Sequence, residues 1–250
     1  MTLSRPRRVE IVGVAGAGKS TLTRALGERY AACRVADSLH TRLPTHWPYV
    51  VHSLPRVLPV VVRTARHRPM MSWEELKFVI YISEWNRFIR AHARNESWVT
   101  VLDQGPIFAL ARLLWGSKPV TRCEWFQAWL TEMVERWSLE LDLIVVLLAS
   151  DDVLLERINH RDSAHAAKGA SAQDALGLIE SHRMAYARVL ELVDRLGRPR
   201  VLRFDSSTTS ADAIADQLGE IFERSSTQAV DEWTTGLQPE TGEESAHEHV

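Results

Sequence analysis

The chain has 250 residues, 45% of them apolar and 25% charged, which suits one sizeable α/β domain, or one domain with an insertion, but not two full domains. A formal net charge of -2 gives no electrostatic case for a nucleic-acid partner. Cys33 and Cys123, 90 positions apart, have neither pairing nor metal-ligand spacing, which fits a reducing, cytosolic setting.

Arg5, Arg7 and Arg8 precede only a short apolar run that enters glycines at once, so no signal peptide is expected. The nearest approach to a membrane span, Trp47 to Val62, is broken by Pro48, Pro55 and Pro59 and carries His52 and Arg56, short of the roughly 18 continuous apolar residues a span needs. A soluble, cytoplasmic protein is expected.

Taken in order, Val9 to Val12 is a short β-branched run ahead of a glycine-rich turn, the pattern of a buried parallel strand. Leu22, Ala25, Leu26 and Tyr30 carry a helix over 20–31, and Cys33 to Ala36 reads as a second strand ending at Asp37. From His40 to Met71, five prolines interrupt the apolar patches, and an irregular, partly helical excursion is expected.

Ser72-Trp73-Glu74-Glu75 is a capping box opening a helix to about Arg94. Trp98 to Leu102 reads as a strand ending at Asp103, followed by a helix from Pro106 to Gly116. Thr121-Arg122-Cys123-Glu124 is a second capping box for a helix to Leu139, and Leu141 to Ala149 is the clearest buried strand. Ser150 caps a helix over 151–160, and another follows at 172–196, ended by Gly197 and Pro199. Val201 to Phe204 is the last strand and 211–224 the last helix. Residues 225–250 contain six acidic residues and no Lys or Arg, and a disordered tail is expected. Strand and helix alternate, so the expected fold is α/β: five parallel strands with helices on both faces.

Gly13-Val14-Ala15-Gly16-Ala17-Gly18-Lys19-Ser20 matches G-x-x-x-x-G-K-[ST], with a strand before it and a helix after it, as a phosphate loop requires. Backbone N–H groups of the loop and the positive end of the following helix would hold phosphates. Lys19 would reach the β- and γ-phosphates of ATP, Ser20 would bind Mg²⁺, and Thr21 would contact the α-phosphate. No third glycine follows Gly18 to complete G-x-G-x-x-G, so a dinucleotide-binding fold is not expected. Asp103, at a strand end, is a candidate ligand for Mg²⁺ or its water; the competing reading is a loop aspartate capping the Pro106 helix.

These segments together resemble the thymidylate kinase and deoxynucleoside kinase superfamily. The resemblance rests on Val9 to Leu26, Trp98 to Gln104 and Leu141 to Leu148, then on Arg157 to Arg161, His182 to Tyr186 and Val201 to Ser206. It implies a P-loop three-layer domain over 1–224, with an acceptor-binding insertion at 38–97 and a short helical lid at 157–170. Arg157 and Arg161, one helical turn apart, would be the lid arginines that stabilise a transferring phosphoryl group; two solvated arginines are the competing reading. His160 and His165 read as exposed lid residues, without metal-site spacing.

Departures from the family pattern matter too. The family places Asp-Arg after the third strand, where this chain has Asp103-Gln104, so an arginine contact to a phosphate is replaced by a neutral amide. Arg87 lies near the place of an acceptor-phosphate arginine. Asp37 stands where the family has an acid, either as general base toward an attacking hydroxyl or as the cap of the following turn. Of nine tryptophans, Trp125, Trp129 and Trp137 recur at helical spacing and are expected in the core. Arg56, Arg63, Arg66, His67 and Arg68 read as a solvated basic surface or an attractor of an anionic acceptor.

The expected activity is transfer of the γ-phosphoryl of ATP, with Mg²⁺, to a small-molecule acceptor such as a nucleoside or nucleotide. The alternative is a regulatory P-loop ATPase without such an acceptor, although no N-K-x-D or L-S-G-G-Q segment is present. Expected partners are a small-molecule acceptor and a second copy in a homodimer, with no nucleic acid and no stable membrane insertion.

Overall fold

The structure is a computed structural model that describes residues 7–36, 44–66, 71–92, 99–115, 119–160 and 171–235. Its apolar runs become five strands: β1 (Arg8–Val12), β2 (Cys33–Val35), β3 (Val99–Leu102), β4 (Leu143–Leu148) and β5 (Arg200–Asp205). All pair in parallel in the order β2-β3-β1-β4-β5. Val9, Ile11 and Val12 of β1 are fully buried, as are Val101, Ile144 and Val145 on the strands beside it. Continuous apolar strands need cover on both faces, and the helices supply it. The expected α/β architecture is observed.

Helices α1 (Lys19–Arg29) and α8 (Ala211–Thr235) pack together as one layer. The other layer contains α3 (Trp73–His92), α4 (Pro106–Leu114), α5 (Glu124–Ser138) and α7 (Ala172–Leu196). Helix α2 (Trp47–Thr64) leans on α3, and the short α6 (Asp151–Asn159) leans on α7. No described helix is long and apolar enough to cross a membrane.

Several helix ends follow their sequence signals. Ser72 Oγ accepts from Glu75 N–H at 3.3 Å, and Glu75 Oε2 accepts from Ser72 N–H at 2.7 Å, so the first capping box is formed. Ser171 caps α7 through Asp174 N–H at 3.1 Å, and Gly197 ends it in the left-handed region at φ 67°.

Other expectations are corrected. Thr121 does not cap α5: it lies within a 3₁₀ turn, Pro119–Arg122, and Cys123 is the N-cap without a side-chain bond. The segment from His40 to Met71 is helical in part, as expected, but more regular where it is described, because Trp47–Thr64 is one α-helix with Pro55 and Pro59 inside it. Burial of Ser53, Val57, Val60 and Thr64 at helical spacing overrides the loss of two intrahelical bonds. Of the three tryptophans expected in the core, Trp137 is buried, whereas Trp125 and Trp129 are only half-buried. The last helix continues to Thr235, beyond residue 224, where its acidic composition was read as a tail; residues 236–250 lie outside the described residues.

Removing the Ser72 hydroxyl tests the capping account. Ser72→Ala is expected to lower stability by about 1 kcal/mol, read by chemical denaturation.

Candidate nucleotide site

Between β1 and α1 the chain must turn sharply while keeping its N–H groups pointed inward, and three glycines permit this. Gly16 and Gly18 have φ of 84° and 89°, values that side-chain-bearing residues rarely adopt. Gly13 is excluded from substitution by space as well, since a Cβ there would stand 2.6 Å from Leu147 O. Ala17 is fully buried and Ala15 half-buried against the core, so the loop is anchored from below. Gly18 is the N-cap of α1, which directs the free N–H groups and the dipole of that helix at the loop.

A cleft of about 390 Å³ opens above this turn, lined by Gly16, Lys19, Ser20, Thr21, Arg157 and Ser206 among others. Lys19 Nζ donates to Gly13 O at 2.8 Å and Val14 O at 3.0 Å, which holds the ammonium over the loop. Ser20 Oγ donates to Asp103 Oδ2 at 3.3 Å. The other carboxylate oxygen, Asp103 Oδ1, is buried without a hydrogen-bond partner. A buried carboxylate oxygen left unpaired beside a hydroxyl is a fitting donor set for a hard cation. Among the described residues no group of three His, Cys, Asp or Glu could hold a metal by itself. The fit is therefore to Mg²⁺, which takes one or two protein oxygens and completes its shell with phosphates and water. Asp103 does not cap the Pro106 helix, whose N-cap is Gly105.

Arg157 donates to Gly16 O at 3.3 Å, to Ser206 Oγ at 3.1 Å and to Ser206 O at 2.8 Å. It thus ties the phosphate loop to the end of β5, and it lines the cleft while doing so. Arg161, the 161–170 part of the lid, and Asp37 lie outside the described residues. Gln104 is exposed beside Asp103. Arg87 is not brought to the cleft. Its neighbour Asn86 accepts from Arg8 Nη1 at 3.3 Å, which places that part of α3 by the start of β1, at the opposite end of the strand from the loop.

Glu10 was missed by motif reasoning. It is fully buried in β1, and its Oε2 and Oε1 accept from Ile107 N–H at 3.0 Å and Phe108 N–H at 2.8 Å, the first turn of α4. Burial pushes its carboxyl up to about 8, partly offset by the N–H groups of Phe108, Ile107 and Gly105. A Cβ on Gly105 would lie 2.2 Å from Glu10 Cδ, so only glycine fits there. Tyr186 of α7 is pushed well above its ordinary value, first by burial and then by the charge of Glu10. The available signal was an ionisable residue inside an otherwise apolar strand.

Arg112 of α4 was also missed. Its guanidinium lies 4.1 Å from the Trp115 ring and 5.9 Å from that of Phe78, and Nη1 meets His182 Nε2 at 3.1 Å. Desolvation by burial eases it below its ordinary value.

Glu10 is protonated more readily in the folded chain than in the unfolded one, so it draws stability down as pH rises from about 4.5 to about 8. Glu10→Gln removes that slope. The stability gap between wild type and variant, measured by denaturation, is expected to narrow steadily from pH 5 to pH 8. Gly105→Ala is expected to cost several kcal/mol at every pH through overpacking.

No family model matches the sequence, and neither does any curated protein. Solved structures do match. The deoxyadenosine kinase from M. mycoides with bound dATP aligns at TM-score 0.50 and 13% identity, covering 86% of this chain and 98% of that one. The thymidylate kinase from Candida albicans aligns at TM-score 0.52 and 15% identity, covering 89% of this chain and 93% of that one. At such identity the likeness is one of fold: the chain has a P-loop fold like that of these deoxynucleoside and thymidylate kinases.

Proposed function

We propose that the chain is a small-molecule kinase that transfers the γ-phosphoryl of ATP to a nucleoside or nucleotide. The observation that carries this reading is the convergence of Lys19, Ser20 and Asp103 on one glycine-rich turn, with Asp103 Oδ1 buried and unpaired.

In this reading the loop N–H groups from Gly13 to Thr21 and the N-terminus of α1 bind the β-phosphate. Lys19 exchanges the carbonyls of Gly13 and Val14 for β- and γ-phosphate oxygens. Ser20 and Asp103 hold Mg²⁺, which supplies charge neutralisation across those phosphates when bound. Arg157 faces the same cleft and shifts from Gly16 O toward the transferring group, joined by Arg161 from the lid. Asp37 takes the proton of an acceptor hydroxyl as general base. Gln104 orients the acceptor through hydrogen bonds rather than charge.

The cation missing at position 104 is supplied, in this proposal, by Arg112, half-buried on α4 and stacked on Trp115. A guanidinium pre-oriented on an aromatic face is well suited to a phosphate or carboxylate of the acceptor. The reducing, cytoplasmic setting belongs to the same proposal, since Cys33 and Cys123 are not joined in a disulfide.

Incubation with ATP, Mg²⁺ and a panel of nucleosides and nucleotides should yield a phosphorylated acceptor. Lys19→Ala and Asp103→Asn are each expected to reduce that turnover by about 100-fold or more. Arg112→Met should raise KM for anionic acceptors and leave neutral ones unchanged. Release of free phosphate without any phosphorylated acceptor would instead support the regulatory ATPase.

A further inference from the structure

Helices α2 and α5 approach each other beside α3 and leave a cleft of about 260 Å³ between them. From α2 it takes Arg56, Val60 and Arg63, and from α5 Trp129, Met133 and Arg136. Both sets recur at intervals of four and three residues, so each helix turns one face to the cleft. Val60 and Met133 are buried, as is Ser83, which α3 contributes. The arginines and Trp129 are half-buried or exposed.

The two ends of the cleft differ. At one end the Arg63 guanidinium lies 5.8 Å from the ring of Trp125, and Trp129 follows one turn along α5. At the other end Arg136 Nη2 donates to Ser83 O at 3.5 Å and Arg56 Nη1 to Glu84 Oε1 at 2.6 Å, two adjacent residues of α3. Helix α2 rises about 10 Å between Arg56 and Arg63. Glu132, which also lines the cleft, falls between Trp129 and Arg136 on α5 and is exposed. Among the described residues neither Arg63 nor Arg136 has a carboxylate partner, and Glu132 has no cationic one. Both contacts of Arg56 use Nη1, which leaves Nε and Nη2 to donate.

The geometry points to a second nucleotide site in this cleft, for one ribonucleoside monophosphate. The phosphate lies between Arg56 and Arg136, whose planar forks suit phosphate oxygens. The base stacks on the half-buried indole of Trp129, beside the guanidinium that Trp125 pre-orients. Glu132 accepts from the ribose hydroxyls, a role that carboxylates fill in other nucleotide sites. Phosphate, sugar and base thus follow one another as the cleft presents arginine, carboxylate and indole, over the length of one nucleotide. An inorganic phosphate would leave the indole end unused. An apolar ligand would strip water from two guanidinium groups without pairing them.

The cleft shares no lining residue with the one above the glycine-rich turn. Ser83 is one turn from Asn86, which meets Arg8 at the start of β1, so the phosphate end lies toward the side of the sheet opposite that turn. A nucleotide bound there takes no part in phosphoryl transfer, and the inference is independent of the kinase reading.

Isothermal titration of the full chain with AMP should show a saturable site that persists in Lys19→Ala and in Arg112→Met. Arg136→Met and Trp129→Leu are each expected to weaken it about 10-fold. Wild type should favour AMP over 2′-deoxy-AMP about 5-fold, and Glu132→Ala should erase that preference. If Trp129→Leu disturbs folding, read by circular dichroism, Arg63→Met at the exposed rim supplies the same test. No saturable AMP binding, binding that is lost in Lys19→Ala but kept in Arg136→Met, equal affinities for the two nucleotides, or tighter binding of an oligoadenylate strand would each overturn the proposal.

Discussion

Glu10 lies in the central strand of the sheet with its carboxyl closed over by the first turn of α4. Taking a carboxyl out of water is costly, and here the free N–H groups of Ile107 and Phe108 offset that cost at the positive end of a helix. The bond does more than satisfy Glu10. In the β1–β3 register Glu10 stands opposite Leu102, the residue before Asp103. Pinning α4 to β1 therefore fixes the turn Asp103-Gln104-Gly105 at both ends. That is the turn that brings Asp103 to Ser20. The Asp103 side of the cleft is set against the glycine-rich turn by one buried contact, and Gly105 is glycine because the contact leaves no room for a Cβ.

From that anchor the cleft builds outward. The glycines curl the loop, α1 points its free N–H groups into it, and Lys19 is held over it by two loop carbonyls. Arg157 closes the far wall by bridging Gly16 and Ser206. Each of these groups is held in place by contacts within the chain itself. In the layer of α3 and α4, the aromatic contact of Phe78 with Phe108 at 5.9 Å links α3 to the same first turn of α4 that Glu10 holds. Arg112 follows one turn further along that helix.

How far the sequence could be read depended on how local each cause was. The glycine-rich turn was legible because its glycines, lysine and serine fall within eight consecutive residues and the constraint on them is backbone geometry. Asp103 was legible from its place at the end of an apolar strand. The Ser72 box formed as its pattern implied, but the like pattern at Thr121 did not. There the buried 3₁₀ turn claims Thr121, whose carbonyl receives Gln127 Nε2. Arg87 was placed by analogy with a family position, and packing of α3 put it at the wrong end of the strand.

The sequence by itself determined the alternation of strands and helices, the glycine-rich turn and the aspartate at the end of β3, because each is specified by neighbours along the chain. Tertiary structure alone decided the rest. Glu10 finds its partners 97 and 98 residues away, and Arg112 meets His182 across 70, distances over which no local pattern carries a signal. Helix α2 holds its form despite Pro55 and Pro59 because α3 buries one of its faces. No inspection of prolines along the chain weighs that burial against the bonds they remove. The sequence named the residues of the glycine-rich turn; the sheet and its helices decided which groups stand behind them.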